Sequence, residues 1–275
     1  MRRADPEGGY VTLGALAISA LVAAFMLGSL SDPRPTLGRA AIALDAFETS
    51  VLLESGLALA SDRILSTKDR DERSVVLSEE TSVVGGIVRL DIRPEAARVD
   101  LNTADATLLA GLFEAAGATS MPADAFAEAV IAARGRASLA SPGELAAIDK
   151  LSGEDFARLR PFVTVYSASA TIDMRGADPV VLRAVPDIGR GAVADIVDMR
   201  GDAGSSADGP LSRIVAAHGQ YLSTGPAARY RVRITAIGNS GQSAGAQAIV
   251  ALQDEAPFVA VLAFVPEPAA VGASR

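Results

Sequence analysis

The segment Tyr10–Leu30 constrains this chain most, because its 21 residues include no Asp, Glu, Lys, Arg or His. An α-helix of that length extends about 30 Å, which is the thickness of the hydrocarbon core of a bilayer. Arg2 and Arg3 precede the segment and Asp32 follows it. The pattern predicts a membrane-spanning helix over residues 10–30, and the two arginines favour a cytoplasmic N-terminus.

A cleaved secretory signal is an alternative interpretation, since such signals also combine a basic start with an apolar centre and a small-residue cleavage site. The apolar run is longer than the usual signal centre, and its best cleavage candidate is Leu27-Gly28-Ser29. This alternative predicts a mature chain that begins near residue 30.

The junction Gly8-Gly9-Tyr10 indicates a third interpretation, because it resembles the class III leader of type IV pilins and type II secretion pseudopilins. In those families a prepilin peptidase cleaves after the glycine, methylates the new amino terminus and leaves the apolar helix in place. The resemblance implies that residues 1–9 are the leader, that Gly9 is its last residue and that Tyr10 is the first mature residue. The families usually have phenylalanine at that position.

Residues 31–66 are predicted to continue the N-terminal helix outside the membrane, after an interruption at Pro33 and Pro35. Apolar residues then recur at helical spacing, and we expect the face that they form to pack on a soluble domain. The members of this face are Leu37, Ala41, Leu44, Phe47, Val51, Ala58 and Leu65.

Several later stretches have the alternation typical of β-strands. Residues 83–93 predict a half-buried strand with a bulge or turn at the adjacent glycines 85 and 86, and residues 258–265 predict a last strand before a flexible tail over 266–275. Residues 229–237 and 246–252 predict a hairpin whose turn contains Asn239-Ser240-Gly241.

The middle of the chain changes to short helices and contains two similar pieces, 100–109 and 173–182. In each piece an aspartate, Asp105 or Asp178, precedes a helix and is predicted to cap it. Ser141, followed three residues later by a glutamate, predicts another helix start.

The stretch 185–192, VPDIGRGA, resembles a helix-hairpin-helix, a motif whose hairpin amides can hold a DNA phosphate. Phosphate affinity comes mainly from Lys and Arg, whereas Asp187, Asp195 and Asp198 surround this hairpin. The net charge of −8 also argues against a general nucleic-acid binder. No nucleic acid is therefore expected, and a membrane-tethered DNA-binding protein of the competence type is the alternative function.

Catalytic signals are scarce, so we expect no enzymatic activity. The chain has no cysteine, its single histidine is His218, and it contains neither a nucleophile elbow nor a phosphate loop. The acidic loop 201–209 supplies Asp202 and Asp208 as candidate calcium ligands, since calcium binds carboxylate and carbonyl oxygens. No other cofactor is predicted.

The order of these segments resembles the K-type minor pseudopilins of type II secretion systems over residues 8–252. The strongest parts of the resemblance are Asn102-Thr103-Ala104 and 141–165, whereas Arg175-Gly176 stands where the family prefers Asn-Thr. The resemblance implies an α+β, pilin-like fold with a long N-terminal transmembrane helix packed on an antiparallel sheet. It implies sheet segments at 67–102 and 226–265, and a large α-helical domain inserted between strands at 103–225.

The resemblance also implies a function and a location. Gly14 would be the fifth mature residue, where major pseudopilins carry a glutamate that K-type subunits typically lack. Such a subunit caps the pseudopilus tip, helps initiate its assembly, and spans the inner membrane once with its bulk in the periplasm. The implied partners are the I-type and J-type minor pseudopilins, the major pseudopilin, the prepilin peptidase and the inner-membrane secretion platform. Some K-type subunits bind calcium in the inserted domain.

Overall fold

The computed structural model describes residues 36–68, 76–200, 208–252 and 259–267. The predicted leader with Gly9 and Tyr10, the predicted membrane helix with Gly14, and the calcium candidate Asp202 lie outside these ranges. Among the described helices, none has both the length and the apolar character needed to cross a bilayer.

The described residues form helices and strands that are numbered here in chain order. The helices are α1 (Thr36–Lys68), α2 (Ala106–Ala115), α3 (Ala123–Arg136), α4 (Gly153–Leu159), α5 (Pro179–Arg183), α6 (Arg190–Met199) and α7 (Asp208–His218). The strands are β1 (Leu77–Val83), β2 (Gly86–Pro94), β3 (Val99–Asp100), β4 (Val163–Thr164), β5 (Ile172–Asp173), β6 (Leu222–Ser223), β7 (Arg229–Gly238), β8 (Ser243–Leu252) and β9 (Val259–Glu267). Short 3-10 helices occupy Glu95–Ala97, Pro142–Ala147 and Arg160–Phe162.

The main sheet is antiparallel, with the strand order β1-β2-β7-β8-β9. Glycines in the left-handed region make two of its turns: Gly85 (φ 97°) joins β1 to β2, and Gly241 (φ 87°) lies between β7 and β8. Both turns confirm sequence predictions. Pro94 at the end of β2 faces Tyr230 near the start of β7. The residues between these strands, here called the inserted region (residues 95–228), therefore leave and rejoin the sheet at neighbouring positions.

Helix α1 packs across β2, β7 and β8 of the sheet. Its buried row consists of residues spaced by four, Leu52, Gly56, Ala60 and Ile64. At Gly56 the helix approaches the sheet so closely that an added Cβ would lie 2.5 Å from Cγ2 of Ile234 and 2.9 Å from Cγ1 of Val88. The absence of a side chain at Gly56 thus sets the distance between helix and sheet.

The predicted packing face of α1 was wrong. Leu44, Phe47 and Val51 are 58%, 50% and 43% exposed, and Ala58 is exposed as well. The helix carries apolar residues on two sides, so periodicity alone could not decide which side the sheet covers. The row that contains Gly56 is buried because only that row permits the close approach.

The inserted region has its own hydrophobic core, separate from the core between α1 and the sheet. Phe113 of α2 and Phe126 of α3 lie near its centre, with ring centroids 4.9 Å apart. Two short parallel strand pairs, β3 with β4 and β5 with β6, complete it. The inserted region therefore contains enough buried apolar surface to hold its helices together.

The two similar sequence pieces adopt matching structures. Asp100 at the end of β3 accepts a hydrogen bond through Oδ1 from the backbone N–H of Asn102 (2.8 Å). At the equivalent place after β5, Asp173 Oδ1 accepts one from the N–H of Arg175 (2.9 Å). The internal repeat predicted from the sequence is thus a repeat of structure.

Helix capping follows the predictions in both copies. Asp105 accepts a hydrogen bond from the N–H of Leu108 (2.8 Å), and Asp178 accepts one from the N–H of Val180 (2.8 Å). Ser141 begins a capping box as predicted, but the helix that follows it is a 3-10 helix.

In each copy an arginine in or directly after a later helix binds the backbone that follows the first strand. Arg134 of α3 donates through Nη1 to the carbonyl oxygens of Leu101 (3.0 Å) and Ala104 (2.7 Å). Arg200, which follows α6, donates through Nε to the carbonyl oxygen of Met174 (3.1 Å). Leu101 and Met174 occupy equivalent positions, so both copies use the same means of fixing the chain after the first strand.

We predict that Gly56→Ala lowers the free energy of unfolding by about 1–3 kcal/mol, because the methyl group overlaps two β-branched side chains that have little room to move. Gly135→Ala in α3 is the control, since an added Cβ there meets nothing within 4 Å. It should raise stability by about 0.5–1 kcal/mol through helix propensity. Denaturant unfolding followed by circular dichroism measures both, and equal stability of the two variants would contradict the packing described here.

Candidate assembly surface and domain junction

Helix α1 presents an apolar row on the side opposite the sheet, formed by Leu44, Phe47 and Val51 and called here the outer stripe. The spacings of three and four residues place these side chains together on one side of the helix. Contiguous exposed apolar groups commonly mark surfaces that bind another protein. The outer stripe is therefore the main candidate for an assembly surface.

The turn between β7 and β8 fixes the orientation of the outer stripe. Asp45 of α1 accepts a hydrogen bond through Oδ1 from the hydroxyl of Ser240 (3.1 Å). One turn later, Glu48 accepts one through Oε2 from Nε2 of Gln242 (3.3 Å). These contacts hold the sheet-facing side of α1 at its N-terminal part, so the outer stripe points away from the sheet.

Strand β9 at the edge of the main sheet is a second apolar surface. Val261, Leu262, Phe264 and Val265 are all at least 39% exposed. Among the described residues, no strand pairs with the outer edge of β9. Edge strands with exposed apolar side chains and unpaired backbone groups are typical positions for association with another chain.

A buried carboxylate joins the sheet to the inserted region. Glu95, which directly follows β2, is 0% exposed and accepts hydrogen bonds from Nε of Arg231 in β7 (2.9 Å) and from the hydroxyl of Thr164 in β4. Arg231 also donates through Nη1 to Oε1 of Gln247 in β8 (2.6 Å). The side chain of Glu95 therefore links the end of β2 to β7 of the sheet and to β4 of the inserted region.

Sequence reasoning missed Glu95. The only available signal was an acidic residue immediately after a strand that ends in proline, between Arg93 and Arg98. Such a residue is exposed in most proteins, because a buried carboxylate needs partners that the local sequence does not reveal.

The connection between α2 and α3 is held by Asp155 from α4. Its Oδ2 accepts hydrogen bonds from the backbone N–H groups of Thr119 (2.9 Å) and Ser120 (2.6 Å). The Ser120 hydroxyl contributes most to lowering the pKa of Asp155, with further lowering by the two backbone N–H groups and by the charge of Arg158, while burial opposes them. The carboxylate thus stays ionised and fixes this hairpin within the inserted region.

The hairpin that resembles a helix-hairpin-helix lies between α5 and α6. Asp187 occupies its left-handed position (φ 57°) and is exposed. Arg183 and Arg190 are exposed nearby, but so are Asp195 and Asp198 on α6. This mixture of charges does not favour binding to a phosphate backbone.

The calcium prediction remains a prediction. Asp208 is the first residue of α7, whereas Asp202 lies outside the described residues. Within the described ranges, no three His, Cys, Asp or Glu side chains converge into a metal-binding group. The single histidine, His218, is the last residue of α7 and is half-buried.

Comparisons with known proteins give a result at the level of fold. No family model and no curated protein matches the chain. Among solved structures, a chain of the GspK–GspI–GspJ complex from the type 2 secretion system of enterotoxigenic Escherichia coli is similar, with a TM-score of 0.61 and 14% identity. The match covers 84% of this chain and 99% of that chain.

The chain has a pseudopilin-like fold. The predicted combination of helices with an antiparallel sheet is confirmed at that level. At 14% identity this likeness shows the fold alone.

Glu95→Gln should lower the free energy of unfolding by about 3 kcal/mol, because it leaves the guanidinium of Arg231 without its buried counter-charge. Glu80→Gln is a matched control, since Glu80 pairs with Arg89 on the exposed surface of the same sheet. That change should cost about 1 kcal/mol or less. Chemical denaturation measures both variants, and equal losses would show that Glu95 is no more important than a surface pair.

Proposed function

We propose that this chain is a minor pseudopilin of type II secretion, a non-catalytic subunit that caps the pseudopilus tip and helps start its assembly. The observation that carries the proposal is that α1 is apolar on two sides. One side packs on the sheet of its own chain, and the outer stripe remains for another subunit. The pseudopilin-like fold supports this assignment.

The outer stripe can supply substantial binding energy. Full burial of a Leu, Phe or Val side chain contributes about 1.5–3 kcal/mol. An apolar row spaced by three and four residues is the pattern by which one helix docks against another. We therefore propose that the I-type and J-type minor pseudopilins, and the major pseudopilin below them, pack their N-terminal helices against this row.

The inserted region supports a position at the tip. It carries a separate hydrophobic core and projects from the sheet at Pro94 and Tyr230. A subunit widened in this way would clash with its neighbours inside a narrow filament, whereas the tip leaves space around it. A glycine in place of glutamate at residue 14 is consistent with a position at the tip, because a tip subunit has no neighbour ahead of it with which a glutamate could pair.

Anchoring and processing belong to the proposal as well. The chain would be inserted once in the inner membrane with its bulk in the periplasm, and would reach the filament through the secretion platform. Asp202 and Asp208 remain the proposed calcium candidates.

The proposed processing determines which residue begins the mature chain and whether its amino group is methylated. After expression with a prepilin peptidase, we expect an N-methylated Tyr10 as the first residue, as mass spectrometry would detect. Gly9→Leu should leave the leader attached. A native chain that begins near residue 30 would instead indicate a cleaved secretory signal.

The assembly role predicts the effect of polar residues in the outer stripe. The double variant Phe47→Ser with Val51→Ser should weaken association with the I-type and J-type subunits about 100-fold or more, because two apolar side chains lose their burial. Co-purification of the full chain from membranes measures this effect. Glu54→Gln with Ala58→Ser, on the same side of α1, is the control and should associate normally. Unchanged association of the Phe47 and Val51 variant would contradict the proposal.

A further inference from the structure

We propose that an α-helix of another protein chain docks beside α1, against the face of β9 that lies on the α1 side of the main sheet. The site is called here the edge groove, and it is formed by Val261 and Phe264 of β9 with Leu53 and Leu57 of α1. This inference goes beyond the proposed function, because the edge groove lies on a different side of α1 from the outer stripe.

The pairing of β9 with β8 determines which of its side chains face α1. Phe264 is the cross-strand partner of Ala248, and Val261 is the partner of Val250. Ala248 and Val250 belong to the buried core between α1 and the sheet. Since directly paired residues point to the same face of a sheet, Phe264 and Val261 lie on the α1 side. They are nevertheless 41% and 39% exposed, so α1 does not cover this strand.

The side of α1 that faces β9 carries two leucines. Leu52 lies at the turn between β1 and β2, because an added Cβ at Gly86 would be 3.0 Å from its Cδ1. Around the helix, Gly56 points at the sheet and lies between Leu52 on one side and Leu53 and Leu57 on the other. These two leucines therefore face β8 and β9, and they are partly buried against the core.

The distance between α1 and β9 fits one further helix. Helix α1 contacts β2, β7 and β8, so its axis passes over β7. Strand β9 lies two strands beyond β7, which is about 9.5 Å at the usual strand spacing. Packed helices have their axes about 8–10 Å apart. A helix placed beside α1 would therefore lie over Val261 and Phe264 and contact Leu53 and Leu57 at the same time.

The edge of β9 is less suited to an additional strand. The pairing with β8 skips Leu262, which forms a β-bulge between Val261 and Ala263. Pro266 has no backbone N–H to donate to another strand. Bulges and prolines are means by which edge strands resist pairing. An added strand would also extend the sheet sideways and leave Phe264 uncovered, so the occupant is a helix.

The absence of charge from the edge groove defines the chemistry of this helix. Strand β9 has no charged residue before Glu267. The hydroxyl of Ser61 already donates to the carbonyl oxygen of Leu57 (2.8 Å). A charged group buried here would lack a partner, so the docking face of the helix must be apolar. The uncharged side of α1 consists of Ala46, Ser50, Leu53, Leu57 and Ser61.

The area that a stable complex needs also favours a helix that contacts both elements. Val261 and Phe264 alone present far less than the roughly 800 Å² per partner of a stable interface. The nine residues of β9 extend about 30 Å, and a helix of about 20 residues has the same length. The partner is therefore a helix of about five turns with one apolar row.

Fluorescence anisotropy with a synthetic helical peptide and the full-length protein in detergent tests the proposal. The labelled peptide has about 20 residues, with leucines in one row and Glu and Lys elsewhere. We expect saturable binding. Val261→Ser with Phe264→Ser should weaken it about tenfold or more, because two apolar side chains lose their contact with the helix.

The matched control is Ala263→Ser with Val265→Ser. Both residues belong to β9, but their partners Ile249 and Gln247 place them on the other face, and Val265 is 57% exposed. This variant should change binding less than about twofold. The unfolding temperature of both double variants should equal that of the unaltered protein, since the substituted side chains are largely exposed.

Ser50→Glu tests the α1 side of the edge groove without altering β9. It places a charge on the uncharged side of the helix and should also weaken binding about tenfold. The proposal is overturned if the peptide does not bind, if Ser50→Glu or the variant with Val261→Ser and Phe264→Ser binds as tightly as the unaltered chain, or if the control loses as much affinity. Equal binding of a peptide with its leucines spread around the helix would overturn it as well, in favour of non-specific adsorption. Displacement by a strand-forming peptide of alternating Thr and Val would overturn it in favour of strand addition.

Discussion

The close contact between α1 and the sheet at Gly56 determines which surfaces this protein leaves open. Because the sheet meets the helix where a side chain is missing, the row through Leu52 and Ile64 is buried. The helix is thereby rotated so that Phe47 and its neighbours face outward. Both sides of the helix are therefore apolar, and the described part of the chain covers the side that faces the sheet. The proposed assembly role depends on the side that stays exposed.

The connection between the sheet and the inserted region depends on one buried carboxylate. Glu95 holds the sheet and the inserted region together through Arg231 and Thr164. Burial and the charge of Arg231 lower the pKa of the nearby Arg98, and the charge of Glu95 raises it. Burying a carboxylate is favourable only with such partners.

Features that depend on neighbouring residues could be predicted from the sequence. The helix cap at Asp105, the turn at Gly85 and the alternation along β2 all arise within a few positions. The packing side of α1 and the role of Glu95 could not, because they depend on contacts such as that between Glu95 and Arg231, which are 136 positions apart. Because α1 carries apolar residues on two sides, helical periodicity did not indicate which side packs on the sheet.

The pairing of Pro94 with Tyr230 has a consequence for how such proteins diversify. The entropic cost of closing a loop rises slowly with its length, and here the two ends are already held as neighbours by the sheet. A segment attached in this manner can grow, shrink or be exchanged while strand order and backbone pairing stay the same. Variation in size among proteins that share this sheet should therefore concentrate between these two strands, and the sheet itself should vary least.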